Sequence, residues 1–174
     1  EGCESAAARV DAEGPEELPV GSVAVVGCVA APNPIPVGDD VAVVAALGHL
    51  FGPGGERGLF RTEDGGRSWR QVLDPGPDTG AVEIAGDPAH PERLYAALWQ
   101  VRRHPWMDYF QPTEGPGTAV YRSVDGGRSW TPAGRTGWPE GDLGRIALAV
   151  PPGSDGLKVW AAVSGRGLFA TGDG

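Results

Sequence analysis

Apolar positions in this chain fall in short runs, cut by Gly, Pro and Asp, and the runs recur in a fixed order. One kind spans residues 22–26, 81–85 and 145–150, marked by Val23 and Val25, Val82 and Ile84, and Ile146 and Leu148. A second carries paired alanines: Ala45 and Ala46 within 44–47, Ala96 and Ala97 within 95–98, and Ala161 and Ala162 within 160–163. A third spans 58–62, 119–123 and 167–171 and ends on a hydroxyl, at Thr62, Ser123 and Thr171. Short apolar runs between turn residues predict strands, and the prolines at 88, 91, 151 and 152 predict turns after the first run. Helical periodicity is nearly absent. Residues 4–17 have helical composition, and Gly14 and Pro15 break it.

The third run leads each time into one motif. Residues 64–69, from Asp64 to Trp69, recur letter for letter from Asp125 to Trp130, and a third copy begins at Thr171, Gly172, Asp173 and Gly174. A fourth strand leaves the motif at 69–73 and at 130–133. Four antiparallel strands, repeated roughly every 50–60 residues, predict an all-β fold made of β-propeller blades. The units run roughly 22–74, 81–134 and 145–174, and the last lacks its outer strand. That is just under three blades, a partial propeller, whereas closed rings have about four to eight. A repeat that buries its faces only against its neighbours leaves apolar surface at a cut end, so self-association is expected. Glu1 in place of Met and a motif cut at Gly174 lead us to expect a piece of a larger protein. Residues 1–21 match no repeat, are acidic and Ala-rich, and read as a linker or a disordered lead-in.

The motif has a structural logic. Asp64 and Asp125 can accept backbone N–H bonds across a tight turn, while Gly66 and Gly127 permit positive φ. Trp69 and Trp130 then fold an indole against the turn, and the hydroxyls of Thr62 and Ser123 add local hydrogen bonds. A carboxylate metal loop needs several oxygen ligands at close spacing, and one Asp per turn does not supply them.

The pattern Thr62-x-Asp64-x-Gly66-x-x-Trp69, repeated from Ser123 through Asp125 and Gly127 to Trp130 and begun again at Thr171 and Asp173, resembles the Asp-box, or BNR repeat. Such boxes occur in sialidases, xyloglucanase-type glycoside hydrolases, sortilin-type receptors and photosystem assembly propellers. The string from Ala45 through His49 to Trp69, with Trp99, Gln100 and Trp106 and the Gly-Pro-Gly at 115–117, looks most like bacterial sortilin-like propellers often labelled glycosyl hydrolases. The resemblance covers about residues 22–174 and implies a propeller whose boxes hold blades together away from the ligand. It also implies an exported protein, periplasmic or extracellular.

Composition narrows the partners. The net charge of −9 argues against a nucleic-acid or membrane-surface binder. No apolar run is long enough to span a bilayer as a helix. Lys158 is the single lysine among 14 basic residues, a bias ascribed to genome composition. Cys3 and Cys28 lack motif spacing and read equally well as a disulfide or as two thiols. No cofactor is implied.

Topology locates the expected site. The Asp motif occupies the turn between strands three and four, so the loops between strands two and three emerge at the opposite end, where repeat folds carry function. Residues 49–57 form one such loop. Residues 100–117 form the richer one, with Arg102, Arg103, His104, Trp106, Asp108, Tyr109, Phe110 and Glu114. Aromatic faces beside oriented polar groups suit a carbohydrate or peptide ligand, with His49, Arg102, Arg103, His104, Trp106, Asp108 and Tyr109 as its contacts. Trp106, Tyr109 and Phe110 fit equally well as plugs of a blade interface or central channel. His49 and His104 are disfavoured as metal ligands because spacing places no third. Glycoside hydrolysis needs a carboxylate pair at controlled separation. Asp108 and Glu114 are weak candidates, Asp40 is conceivable, and Tyr109 is the residue type of a sialidase nucleophile. A complete active site is not expected within one partial ring. The expected role is a glycan- or peptide-binding or scaffolding module, the alternatives being part of an exo-acting glycoside hydrolase or an inactive fragment.

Overall fold

The computed structural model describes residues 35–53, 56–102 and 113–172. Among them every regular element is a strand, and the strands form three antiparallel sheets in chain order. The first sheet holds β1 (Ile35–Gly38), β2 (Val41–Ala46), β3 (Gly58–Thr62) and β4 (Arg70–Leu73). The second holds β5 (Thr79–Gly86), β6 (Leu94–Gln100), β7 (Ala119–Ser123) and β8 (Thr131–Pro132). The third holds β9 (Ile146–Ala149), β10 (Val159–Val163) and β11 (Gly167–Thr171). Each sheet is a simple meander, because consecutive strands pair as neighbours and their connections do not cross. The repeat alignment gives the first place of the first sheet to residues 22–26, which lie outside the described residues. The strand paired with β2 there is β1, folded back through the tight turn at Asp39 and Asp40.

Successive sheets stack through two apolar cores. Val43, Ala45 and Leu59 of the first sheet meet Ala81, Ile84, Leu94, Ala96 and Leu98 of the second. Tyr95, Ala97, Val101 and Val120 of the second meet Ile146, Leu148, Val159, Ala161 and Val163 of the third. The alternation of a strand explains both at once: Leu94, Ala96 and Leu98 point to one side of β6, Tyr95 and Ala97 to the other. Sandwiched between two sheets, β6 is apolar at every position from Leu94 to Leu98 and buried throughout. The paired alanines let sheets approach closely. At Gly80 the fit is tighter still, since an added Cβ would lie 2.3 Å from the Leu47 carbonyl oxygen.

One face of the third sheet is covered, and the other carries exposed side chains. Val159, Ala161 and Val163 of β10 are buried, whereas Trp160 is 42% exposed and Leu168 of β11 is 74% exposed. Lys158 lies over the Trp160 ring, 5.7 Å from its centre, the commonplace way of shielding a lone exposed indole. Two four-stranded meanders and a three-stranded one, stacked face to face, make this an all-β partial β-propeller.

Candidate functional site

The two ends of the stacked sheets carry different chemistry. At one end sit the Asp motifs, and their geometry follows from the sequence almost atom by atom. Thr62 Oγ1 donates to Asp64 Oδ1 at 2.7 Å and accepts from the N–H of Gly66 at 2.9 Å. Asp64 accepts from the Ser68 N–H at 2.8 Å and from its hydroxyl at 2.6 Å. The second copy repeats this. Ser123 donates to Asp125 at 2.8 Å and accepts from Gly127 at 2.9 Å, and Asp125 accepts from the Ser129 N–H and hydroxyl at 3.0 and 2.6 Å. Gly66 and Gly127 adopt φ of +89° and +77°, which a side chain would strain. The Trp130 Nε1 closes its loop onto the Gly127 carbonyl at 3.2 Å, and its ring packs on the core between the first two sheets.

These bonds stabilise the carboxylate form. The Ser68 hydroxyl, then its N–H, then the Thr62 hydroxyl hold Asp64 at about 2, down from 3.8. At Asp125 burial pushes the pKa up, but the Ser129 hydroxyl and N–H, the Ser123 hydroxyl and the Arg128 N–H outweigh it and hold the group at about 2. Each carboxylate thereby ties its own turn together through a neighbouring hydroxyl and N–H. Thr171 ends β11 opposite Val159, in register with Thr62 and Ser123, and Asp173 lies outside the described residues.

Each Asp loop is also anchored to the hairpin beside it. Gly65 donates to the Asp40 carbonyl, and Gly126 to that of Glu92, both at 3.0 Å. Asp40, conceivable as a reactive carboxylate, therefore sits with the staples and away from the long loops.

The opposite end gathers the loops of interest. Arg57, only 2% exposed, donates to the carbonyls of Leu47 (2.8 Å), His49 and Gly52, which pins residues 47–52 around its guanidinium. Burial lowers its pKa from the ordinary value, against the nearby Asp78 carboxylate, which raises it, while Arg102 lowers it further. Asp78 lies 3.2 Å from Arg102 Nη1, and its carbonyl accepts from Val101 at 3.0 Å. His49 and Arg102, predicted from separate loops, are thereby brought to one place, with the His49 side chain exposed. Glu114 is drawn elsewhere: it pairs with Arg166 of the third sheet at 3.3 Å, while Gly115 bridges to Leu143. The foot of the 100–117 loop is tied down by Trp99 Nε1 to Thr113 O (2.8 Å) and by Gly117 N to Gln100 Oε1 (2.7 Å). Arg103, His104, Trp106, Asp108, Tyr109 and Phe110 lie outside the described residues, as do Cys3 and Cys28.

Sequence reasoning missed Arg57, Asp78 and Arg166. Asp78 precedes a strand with no motif around it, and Arg57 and Arg166 look like ordinary loop cations. The carbonyls that Arg57 meets lie five to ten residues back in an irregular loop, and the partners of Asp78 and Arg166 are farther along the chain, so no motif announces them.

No protein-family model and no curated protein sequence matches the chain. Among solved structures it is similar to a GH74 xyloglucanase from Xanthomonas campestris, with a TM-score of 0.53 and 20% identity over 78% of this chain and 18% of that one. A structure described as YCF48 bound to D1 peptide matches at a TM-score of 0.46 and 14% identity, covering 79% of this chain and 35% of that one. The chain thus spans less than a fifth of the xyloglucanase and about a third of the other. The xyloglucanase likeness supports the propeller fold, and the fold alone.

Proposed function

We propose that this chain is a segment of an Asp-box propeller that binds a glycan or a peptide at the end carrying residues 49–57 and 100–117, and completes no active site of its own. The observation that carries this reading is the convergence of two long loops on Asp78, with Arg57 fixing one loop and Arg102 anchoring the other. Loops held in place before a ligand arrives lose little entropy on binding. The aromatic residues Trp106, Tyr109 and Phe110 belong to the same loop as Arg102 and supply the apolar platform such ligands need. The Asp-boxes at the far end act as blade staples. Residues 22–174 form the propeller segment, 1–21 a lead-in, and further blades or a second copy complete the stack.

Arrays of glycans and of peptides test the reading directly. The array on which the parent chain gives signal identifies the ligand class, and Trp106→Ala and Arg102→Ala are expected to weaken that binding without changing the fold. Unaltered binding by both variants would sink the proposal. Release of reducing sugar from a glycan panel, lost in Asp108→Asn or Glu114→Gln, would instead make the site hydrolytic.

A further inference from the structure

Residues 47–52 turn three carbonyls inward. Arg57 Nη1 donates to Leu47 O at 2.8 Å, and Nη2 donates to His49 O and, at 3.2 Å, to Gly52 O. Leu47 is part of the core that holds Val101 and Leu143, and Leu50 packs against that core. Gly48, at φ +73°, lies so close over the Arg57 side chain that a Cβ there would collide with it. The turn is thus fastened from beneath. What it holds outward is Phe51, 57% exposed, between exposed His49 and Pro53. Single exposed apolar side chains are ordinary on a protein surface. This ring differs because a buried arginine fixes the backbone on both sides of it, so a ligand that stacks there has little left to order.

The neighbours of the turn add polar chemistry. Arg57 is near enough to Asp78 and Arg102 for both charges to act on it. Those two pair at 3.2 Å and are both partly exposed, so a carboxylate and a guanidinium offer an acceptor and donors side by side. Backbone groups at this end are largely spent on one another. Besides the three carbonyls on Arg57, the Asp78 carbonyl takes the Val101 N–H at 3.0 Å. The Gln100 N–H goes to the Thr118 hydroxyl at 3.0 Å, and the Gly115 N–H to the Leu143 carbonyl at 3.2 Å. An extended peptide draws affinity from main-chain pairing, and little is on offer here. A sugar ring needs none: its C–H face lies on the electron-rich face of an aromatic ring. Its hydroxyls, each both donor and acceptor, suit a carboxylate beside a guanidinium.

On the reading that this end binds a ligand, we infer that the ligand is a neutral oligosaccharide and that Phe51 is its stacking platform. The Asp78–Arg102 pair reads the hydroxyls of the stacked ring, and Arg57 is a positioning residue, acting through the turn it fastens.

Cellohexaose, mannohexaose and maltohexaose are the probes, offered to the whole chain beside a library of random hexapeptides. Saturable binding of at least one hexaose is expected, with upfield shifts of its ring C–H protons, the mark of a sugar face lying on an aromatic ring. Phe51→Ala is expected to weaken that binding about tenfold or more, as loss of an aromatic anchor does. Its melting temperature should match the parent's, because the ring is exposed. Phe51→Trp is expected to keep both the binding and the upfield shift, whereas Phe51→Leu keeps apolar bulk and loses the shift. Hexaose binding that Phe51→Ala leaves intact, or that brings no upfield shift, would overturn the platform while leaving a binding end in place. Binding of hexapeptides and of no hexaose would overturn the ligand class and likewise leave the binding end. Binding of neither would remove both.

Discussion

Arg61 donates through Nε to the carbonyl oxygen of Gly126 at 2.9 Å, reaching from β3 of the first sheet into the Asp loop of the second. The guanidinium is 3% exposed, and its other arm meets Glu63, which in turn lies 3.6 Å from Arg128 of the same loop. The Asp loop is thus a joint between sheets as well as a turn within one.

Removing that joint should be costly. Arg61→Ala leaves the Gly126 carbonyl without its donor and opens space at the interface. We expect a loss of about 1–3 kcal/mol, read from the urea midpoint. Glu63→Gln, at an exposed carboxylate, is expected to change stability little.

The two Asp loops make stability depend on acid. Asp64 and Asp125 sit at about 2 in the fold, against about 3.9 for an unfolded aspartate. A lowered folded pKa means the unfolded chain binds protons first as pH falls. Their stabilisation is therefore complete above about pH 4 and is lost as pH falls through about 2. Asp125→Asn should flatten the melting-temperature profile over that window and lower it at neutral pH. An unchanged profile would show that the carboxylate contributes nothing beyond an amide.

Buried, lowered-pKa Asp87 does for the second and third sheets what Arg61 does for the first and second. It accepts from Ala89 at 3.0 Å and from Gly153, in the loop before β10, at 2.9 Å, and the Ala89 bond is the main cause of the lowering, against burial. Asp87→Ala is expected to lower the melting temperature and to increase amide exchange in β9, β10 and β11 more than in β1 to β4. A uniform change across all three sheets would argue against the link.

Close approach of backbones gives a steric prediction. Gly80→Ala drives a methyl into the Leu47 main chain, and overpacking there should cost about 1–3 kcal/mol. Gly134→Ala meets nothing within 4 Å and is the matched control, expected to unfold like the parent.

The open face of the third sheet predicts association. Replacing Leu168 and Trp160 by Lys and Ser should reduce sedimentation-detected oligomers and binding of an apolar dye. Unchanged association would place the contact elsewhere.

What the sequence determined is what local chemistry decides. Strand positions were legible from the apolar runs, and β3, β7 and β11 match the predicted 58–62, 119–123 and 167–171. The Asp loops were legible because the bonds that close each turn span two to four residues, so the motif carries those partners itself. Even the stacking of sheets was implied, since runs apolar on both faces, such as Leu94 to Leu98, must be covered twice. Tertiary structure alone decided the joints and the site. Arg61 with Gly126 and Asp87 with Gly153 join residues 65 and 66 positions apart, and Asp78 gathers Arg57 and Arg102 only once three loops share one end. A lone Arg or Asp has no periodicity to announce it; its role is set by which distant carbonyl or carboxylate the packed sheets bring within reach.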